Sequence, residues 1–168
     1  FMSSISSTEA YETGDRESSY TITLSGIQNS DFASGDAGNW LNGNLGTGSS
    51  NAWYWNSNDS NLQGGFFNFD LGSGNSKIYT GAKLYQNQNI ATGVKPSSGN
   101  WKWQGSNDGT NYTDLSSTFV WNGESGTAGT DLYFTEVSWS NSTAYRHIKL
   151  LAMSGAVTTT NPWQNELE

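Results

Sequence analysis

WKWQGSNDGTNYTDL, Trp101 to Leu115, decides how this chain folds. Asn100 to Ser106 alternates, which puts Trp101 and Trp103 on one face of a strand, as expected of a strand with one side in a core. Asn107-Asp108-Gly109 follows at once, and Gly supplies the positive φ that a tight turn needs. Asn-Tyr-Thr-Asp-Leu then resumes the extended pattern, so the segment reads as strand, turn, strand.

The same pattern extends in both directions. Tyr20 to Leu24 alternates Tyr20, Ile22 and Leu24 onto one side. Phe66 to Gly72 does so with Phe67, Phe69 and Leu71, and a Gly-Ser-Gly-Asn turn leads on to Ile78 to Tyr85. Ser117 to Trp121, Leu132 to Trp139 and Ala144 to Leu151 add further strands, and PWQNELE closes the chain. No window has helical periodicity, good helix formers are scarce, and no repeat has a propeller or solenoid period. The fold class expected is all-β, an antiparallel sandwich or jelly roll of about eight short strands. A parallel α/β fold is excluded.

Composition agrees with a folded body. The chain has 168 residues, the size of one ordinary domain, and is 14% aromatic with eight Trp, whereas disordered chains lack aromatics. Charged residues are only 13%, so the abundant Ser, Asn, Thr and Gly belong mostly in loops. Residues 1–19, without periodicity, read as an extended arm or linker, and 20–168 as the sandwich domain. From Gly26 to Gly65 a long Gly, Asn and Ser-rich stretch carries Trp40, Trp53, Tyr54 and Trp55, and loops of that length are usually functional or ordered by a metal.

Several functions are excluded or made poor. Zero Cys removes thiolate nucleophiles and thiolate zinc sites, and a single His removes His-rich metal sites. A net charge of -8 with seven Lys and Arg leaves no footprint for nucleic acid or anionic membrane. No run is long and apolar enough to span a bilayer. A chain starting at Phe1 rather than Met reads as a processed product or part of something longer.

Three stretches, in order, resemble the discoidin-like group of the galactose-binding-like superfamily, which includes coagulation-factor C domains and galactose-type carbohydrate-binding modules. They are FFNFDLGSG (Phe66 to Gly74), WKWQGSNDGTNYTDL (Trp101 to Leu115), and AYRHIKLLAMSG (Ala144 to Gly155) followed by NELE. The wording looks most like modules of phage and bacterial surface proteins. The resemblance implies an eight-stranded jelly-roll sandwich and non-catalytic binding through loops at one end, usually to glycans. It also implies an extracellular, cell-surface or virion location, and weak single sites strengthened by repetition.

Relatives often carry a structural calcium ion, and the matching positions here are Asn42, Asn44, Ser50 and Glu166. Asn brings a carbonyl oxygen but no charge, so such a site is weaker than an acidic one. Asp36 could restore a charge, and the plain alternative is an Asn-Gly turn. For glycans, an aromatic face stacks on a pyranose while amides hydrogen-bond its hydroxyls. Trp40, Trp53, Tyr54, Trp55 and Trp163 fall in Gly, Asn and Pro-rich segments and are the candidate platforms. Trp101, Trp103, Trp121 and Trp139 fall in strand patterns and read as core.

Arg146 is expected to pair with Asp70 or Glu166, and His147 to lie on the face opposite Ile148 and Leu150. A Ser-His-Asp triad lacks a Gly-x-Ser-x-Gly elbow. A glycosidase pair could be drawn only from loop carboxylates such as Asp31, Asp36, Asp59 and Glu124, which in an acidic chain are usually solvating charge. Glycosylation sequons at Asn58, Asn111 and Asn141 decide nothing. The main rival to a glycan binder is a structural subunit of a virion or filament that assembles through its arm.

Overall fold

Alternation of apolar and polar side chains produces the strands, and their pairing makes two principal sheets. The computed structural model describes residues 16–26, 40–43, 53–54, 60–86, 99–121, 133–156 and 163–168. A 3-10 turn at Glu17–Ser19 precedes twelve β segments among the described residues. They are β1 Thr21–Ser25, β2 Trp53–Tyr54, β3 Phe66–Asp70, β4 Lys77–Ile78, β5 Gly81–Gln86 and β6 Asn100–Ser106, then β7 Thr113–Asp114, β8 Phe119–Val120, β9 Tyr133–Ser138, β10 Ala144–Tyr145, β11 His147–Ala152 and β12 Trp163–Leu167. The larger sheet runs β1-β3-β11-β6-β7 with β8 also on β6, the second runs β2-β12-β5-β9, and β10 with β4 makes a small ribbon. Every pairing is antiparallel.

Two of the expected long strands are interrupted. The Ile78 to Tyr85 run divides into β4 and β5, and Ala144 to Leu151 divides at Arg146 into β10 and β11. The Asn107 side chain holds the second break: its Oδ1 accepts from the Arg146 N–H at 2.9 Å and its Nδ2 donates to the Ala144 carbonyl at 3.1 Å. A side-chain amide thus supplies both the donor and the acceptor that a neighbouring strand would have provided.

Register explains the core. Ile148 lies between Phe69 and Gly105, and Leu150 between Phe67 and Trp103, so these residues share the inner face. Trp101, Trp103, Phe67 and Leu150 are fully or almost fully buried there, with Ala82, Leu84 and Leu167 from the second sheet. Gly105 is required where it stands, because a Cβ would sit 2.6 Å from the Tyr145 ring.

The body begins earlier than its sequence suggests. Arg16, within the expected arm, is buried; its N–H donates to the Leu41 carbonyl at 2.7 Å and its guanidinium to the Leu167 carbonyl. Residues 1–15 of that arm lie outside the described residues. No helix of the described residues is long and apolar enough to cross a membrane.

Leu150→Ala, at a fully buried position between two strands, is expected to lower the unfolding free energy by about 2–5 kcal/mol in urea titration.

Candidate binding site

Strand ends define the two ends of the sandwich. Gly81, Ala82 and Trp139 meet Tyr20, Phe69 and Ile148 at one of them. By register, Ser25, Phe66 and Ala152 of the larger sheet, and Gln86 and Tyr133 of the second, lie at the other. At this far end β2 joins β12, with Tyr54 opposite Trp163 and Trp53 opposite Gln164. Two stretches remote in sequence, both chosen for their aromatics, therefore become neighbours. They are strand positions rather than the loop positions their Gly, Asn and Pro-rich surroundings suggest, because β12 supplies the hydrogen-bonding partner that makes Trp53–Tyr54 extended. Trp55 lies outside the described residues.

Trp40 is no ligand platform. It is fully buried, its ring stacked at 5.7 Å on Trp121 and edge-on to Phe67 at 5.1 Å. A Gly and Asn-rich neighbourhood tells nothing about where one large ring goes when a core lies beneath it. Trp101, Trp103 and Trp121 are core as expected, and Trp139 is packed against it.

Of the four candidate calcium ligands, Asn44 and Ser50 lie outside the described residues. Asn42 precedes Gly43, whose φ of +73° makes a turn, and Glu166 is a strand position opposite Tyr85 beside a bulge. The residues next to them, Leu41 and Leu167, are both bonded to Arg16. Among the described residues no three His, Asp or Glu gather as a metal would require.

At the opposite end the polar residues form a clasp on the outer face of the larger sheet. Arg146 clamps Asp70 with two bonds of 2.6 and 2.7 Å, the Gly72 N–H donates to the same carboxylate at 2.8 Å, and Asp70 titrates at about 2 as a result. The bend at Arg146 takes it off the Ile148 face that plain alternation would give it. His147 faces outward yet is buried, its ring 3.2 Å from where a Cβ on Gly109 would stand, with Nδ1 3.8 Å from Asp70 Oδ1 and 3.5 Å from Asn68 Nδ2. Its cross-strand neighbour Ser106 donates its hydroxyl to Asp108 at 3.0 Å, which is the arrangement of a turn anchor rather than of a nucleophile.

Asp108 accepts from Ser106, from the N–H groups of Thr110 and Asn111 and from the Asn111 amide, and these bonds hold its carboxyl far below the usual range. Tyr112 then lies across the sheet: its hydroxyl donates to Asn68 at 2.9 Å and its ring carries the Lys149 ammonium at 3.1 Å, with Phe66 at 4.7 Å. Burial, then the Asp108 and Asp70 carboxylates, raise the Tyr112 hydroxyl above its ordinary value. On the other sheet Lys83 lies over Phe134 at 4.1 Å and Tyr85 at 5.0 Å. The sequence reading overlooked both groups. Their signals were Lys83 two residues before Tyr85, and the register that sets Lys149 beside Asn68. Lys102 is held by Asp114 at 2.8 Å.

The two packed antiparallel sheets make a β-sandwich, the fold that solved family 32 carbohydrate-binding modules share with this chain. No protein-family model matches the chain, and no curated protein sequence does. Among solved structures it is similar to a Clostridium perfringens family 32 module in complex with GalNAc-β-1,3-galactose, at 17% identity and TM-score 0.59 over 92% of this chain and 97% of that one. It is likewise similar to the family 32 module of Clostridium perfringens NanJ in complex with galactose, at 16% identity and TM-score 0.57 over 92% and 96%. The lectin-binding domain of lectinolysin, complexed with Lewis b, matches at 18% identity and TM-score 0.58 over 94% and 95%.

Asp70 has a folded pKa below its ordinary 3.8, so its ionised form stabilises the fold above about pH 4, and that contribution is lost as pH falls through about 2. Asp70→Asn is expected to cost on the order of 1 kcal/mol at neutral pH, allowing for solvent screening of a partly exposed pair, and to flatten stability between those two pH values in acid-titrated urea unfolding.

Proposed function

We propose that this chain is a non-catalytic carbohydrate-binding module that takes a glycan at the end of the sandwich where Tyr54 and Trp163 are register partners. That pairing carries the reading, since it joins two aromatic positions on a fold whose similar structures hold galactose, GalNAc-β-1,3-galactose and Lewis b. A pyranose offers an apolar C–H face for such rings and hydroxyls for amides, and Asn and Gln are plentiful here. The net charge of -8, with Lys83, Lys102, Arg146 and Lys149 engaged internally, argues against nucleic acid or anionic membrane as partner. Such a role belongs outside the cell or on a surface. Weak single sites would act through repetition along a fibre, capsid or multimodular enzyme.

Multivalent display of the domain on a glycan array is expected to give a defined ligand set. Trp163→Ala or Trp55→Ala is expected to weaken it at least tenfold, about 1.4 kcal/mol. Silence of the wild-type display would move the reading to a structural subunit.

Calcium enters the proposal as a weak pin held by Asn42, Asn44, Ser50 and Glu166. With a Kd on the order of 1 mM, 10 mM calcium would add about 1.4 kcal/mol, so the melting midpoint should rise slightly and return with chelator. An unchanged midpoint removes the ion from the proposal.

A further inference from the structure

The second sheet gathers aromatic positions on its outer face. Ala82 and Leu84 of β5 and Thr135 of β9 are buried inward, so the alternate residues Lys83, Tyr85, Phe134 and Glu136 face away from the core. Tyr85 and Phe134 are cross-strand partners, only partly buried, with ring centroids 5.7 Å apart. Gln164 pairs with Gln86, the residue after Tyr85, and Trp163 pairs with Tyr54. The register therefore gives the Tyr54 and Trp163 positions the same parity as Tyr85 and Phe134. Each strand of the order β2-β12-β5-β9 contributes one aromatic position to this row. At about 4.8 Å between neighbouring strands the row runs for about 14 Å, further than one pyranose ring reaches.

The part of the row beyond Trp163 is fixed before any ligand arrives. The Tyr85 hydroxyl donates to Glu168 at 3.1 Å, and the Lys83 ammonium spans the two rings, 4.1 Å from Phe134 and 5.0 Å from Tyr85. Lys102 and Arg146 each have a carboxylate partner, whereas Lys83 has none among the described residues. Its N–H groups are left to donate to a hydroxyl laid beside Tyr85.

We propose that the glycan site continues from Tyr54 and Trp163 across the outer face of the second sheet to Tyr85 and Lys83, and that its ligand is a neutral chain of several sugars. This rests on the reading of Tyr54 and Trp163 as a glycan platform and adds the length and charge of what it holds. Length follows from the row of four strands. Charge follows from its border: Glu136 lies opposite Lys83 and Glu168 bonds Tyr85, so two carboxylates flank one ammonium and disfavour a polyuronate. Hydroxyls suit both kinds of group, since they donate to carboxylates and accept from an ammonium. Phe134, the ring nearer to Lys83, acts as a positioning residue that seats the ammonium.

Titrating the domain with galactose, galactotetraose, glucose, cellotetraose and tetragalacturonate in separate 1H–15N NMR experiments tests this. One of the neutral tetrasaccharides is expected to bind about tenfold or more tightly than its own monosaccharide, and to shift the Lys83, Tyr85 and Phe134 amides that the monosaccharide leaves in place. Tetragalacturonate is expected to bind more weakly than galactotetraose. Tyr85→Ala should bring the ratio of tetrasaccharide to monosaccharide affinity close to one, and Lys83→Met should weaken the tetrasaccharide by about three- to tenfold. Lys83→Met decides if Tyr85→Ala fails to fold. Monosaccharide binding that Trp163→Ala abolishes, with the tetrasaccharide no tighter, overturns the extension alone and leaves the platform. Silence of every sugar also overturns the extension, and the glycan array then decides the platform. An unchanged ratio in folded Tyr85→Ala, full affinity in Lys83→Met, or tighter binding of tetragalacturonate overturns it as well.

Discussion

The rings between the two sheets are the constraint on which the rest of the molecule depends. Trp40, Phe67, Trp101 and Trp121 contact one another at centroid distances of 5.0 to 6.2 Å, and Phe69 with Trp103 extends the layer at 6.1 Å. Burying rings of that size contributes most of the favourable free energy available to a chain so poor in aliphatic residues. It also fixes register, because a one-residue slip of β6 would turn Trp101 and Trp103 out to solvent. Once β6, β11 and β3 are locked, the outer-face residues have no further choice of neighbours.

What the outer face does with that arrangement is structural. Asp108 gathers four donors and so fixes the Asn107–Tyr112 turn; the turn sets Tyr112 across Lys149 and Asn68 and closes over His147. Asn107 and the Arg146–Asp70 clamp join the same region to the bend between β10 and β11. These bonds gather charge and amides in one place. The opposite end, where Tyr54 is the register partner of Trp163, is the one proposed for a glycan. The two ends of the sandwich thus differ in kind: one is tied by hydrogen bonds, the other carries aromatic strand positions.

Much of the fold was legible because its signals are local. Alternation in Asn100 to Ser106, Phe66 to Asp70 and His147 to Ala152 gives the strands, Asn-Asp-Gly gives the turn, and the resemblance to galactose-binding-like modules gives the sandwich. Arg146 with Asp70 was also foreseeable, since a partly covered guanidinium needs a carboxylate. The split at Arg146 was not, because it depends on a side chain from another element, Asn107. Trp40 was misjudged for a related reason: its sequence neighbours say loop, while its burial is decided by Phe67, Phe69 and Trp121, far away in the chain.

By itself the sequence determined the strand periodicity, the all-β class, the absence of thiolate and His-cluster chemistry and the anionic surface, because each follows from composition or from residues within a few positions of one another. Only the tertiary structure decided which aromatics are core, that Tyr54 and Trp163 are cross-strand partners, that Arg16 is part of the body, and that Tyr85 and Phe134 lie side by side on the outer face of the second sheet. Those are facts about contacts between distant segments, and such contacts are set by packing and register, which no local window contains.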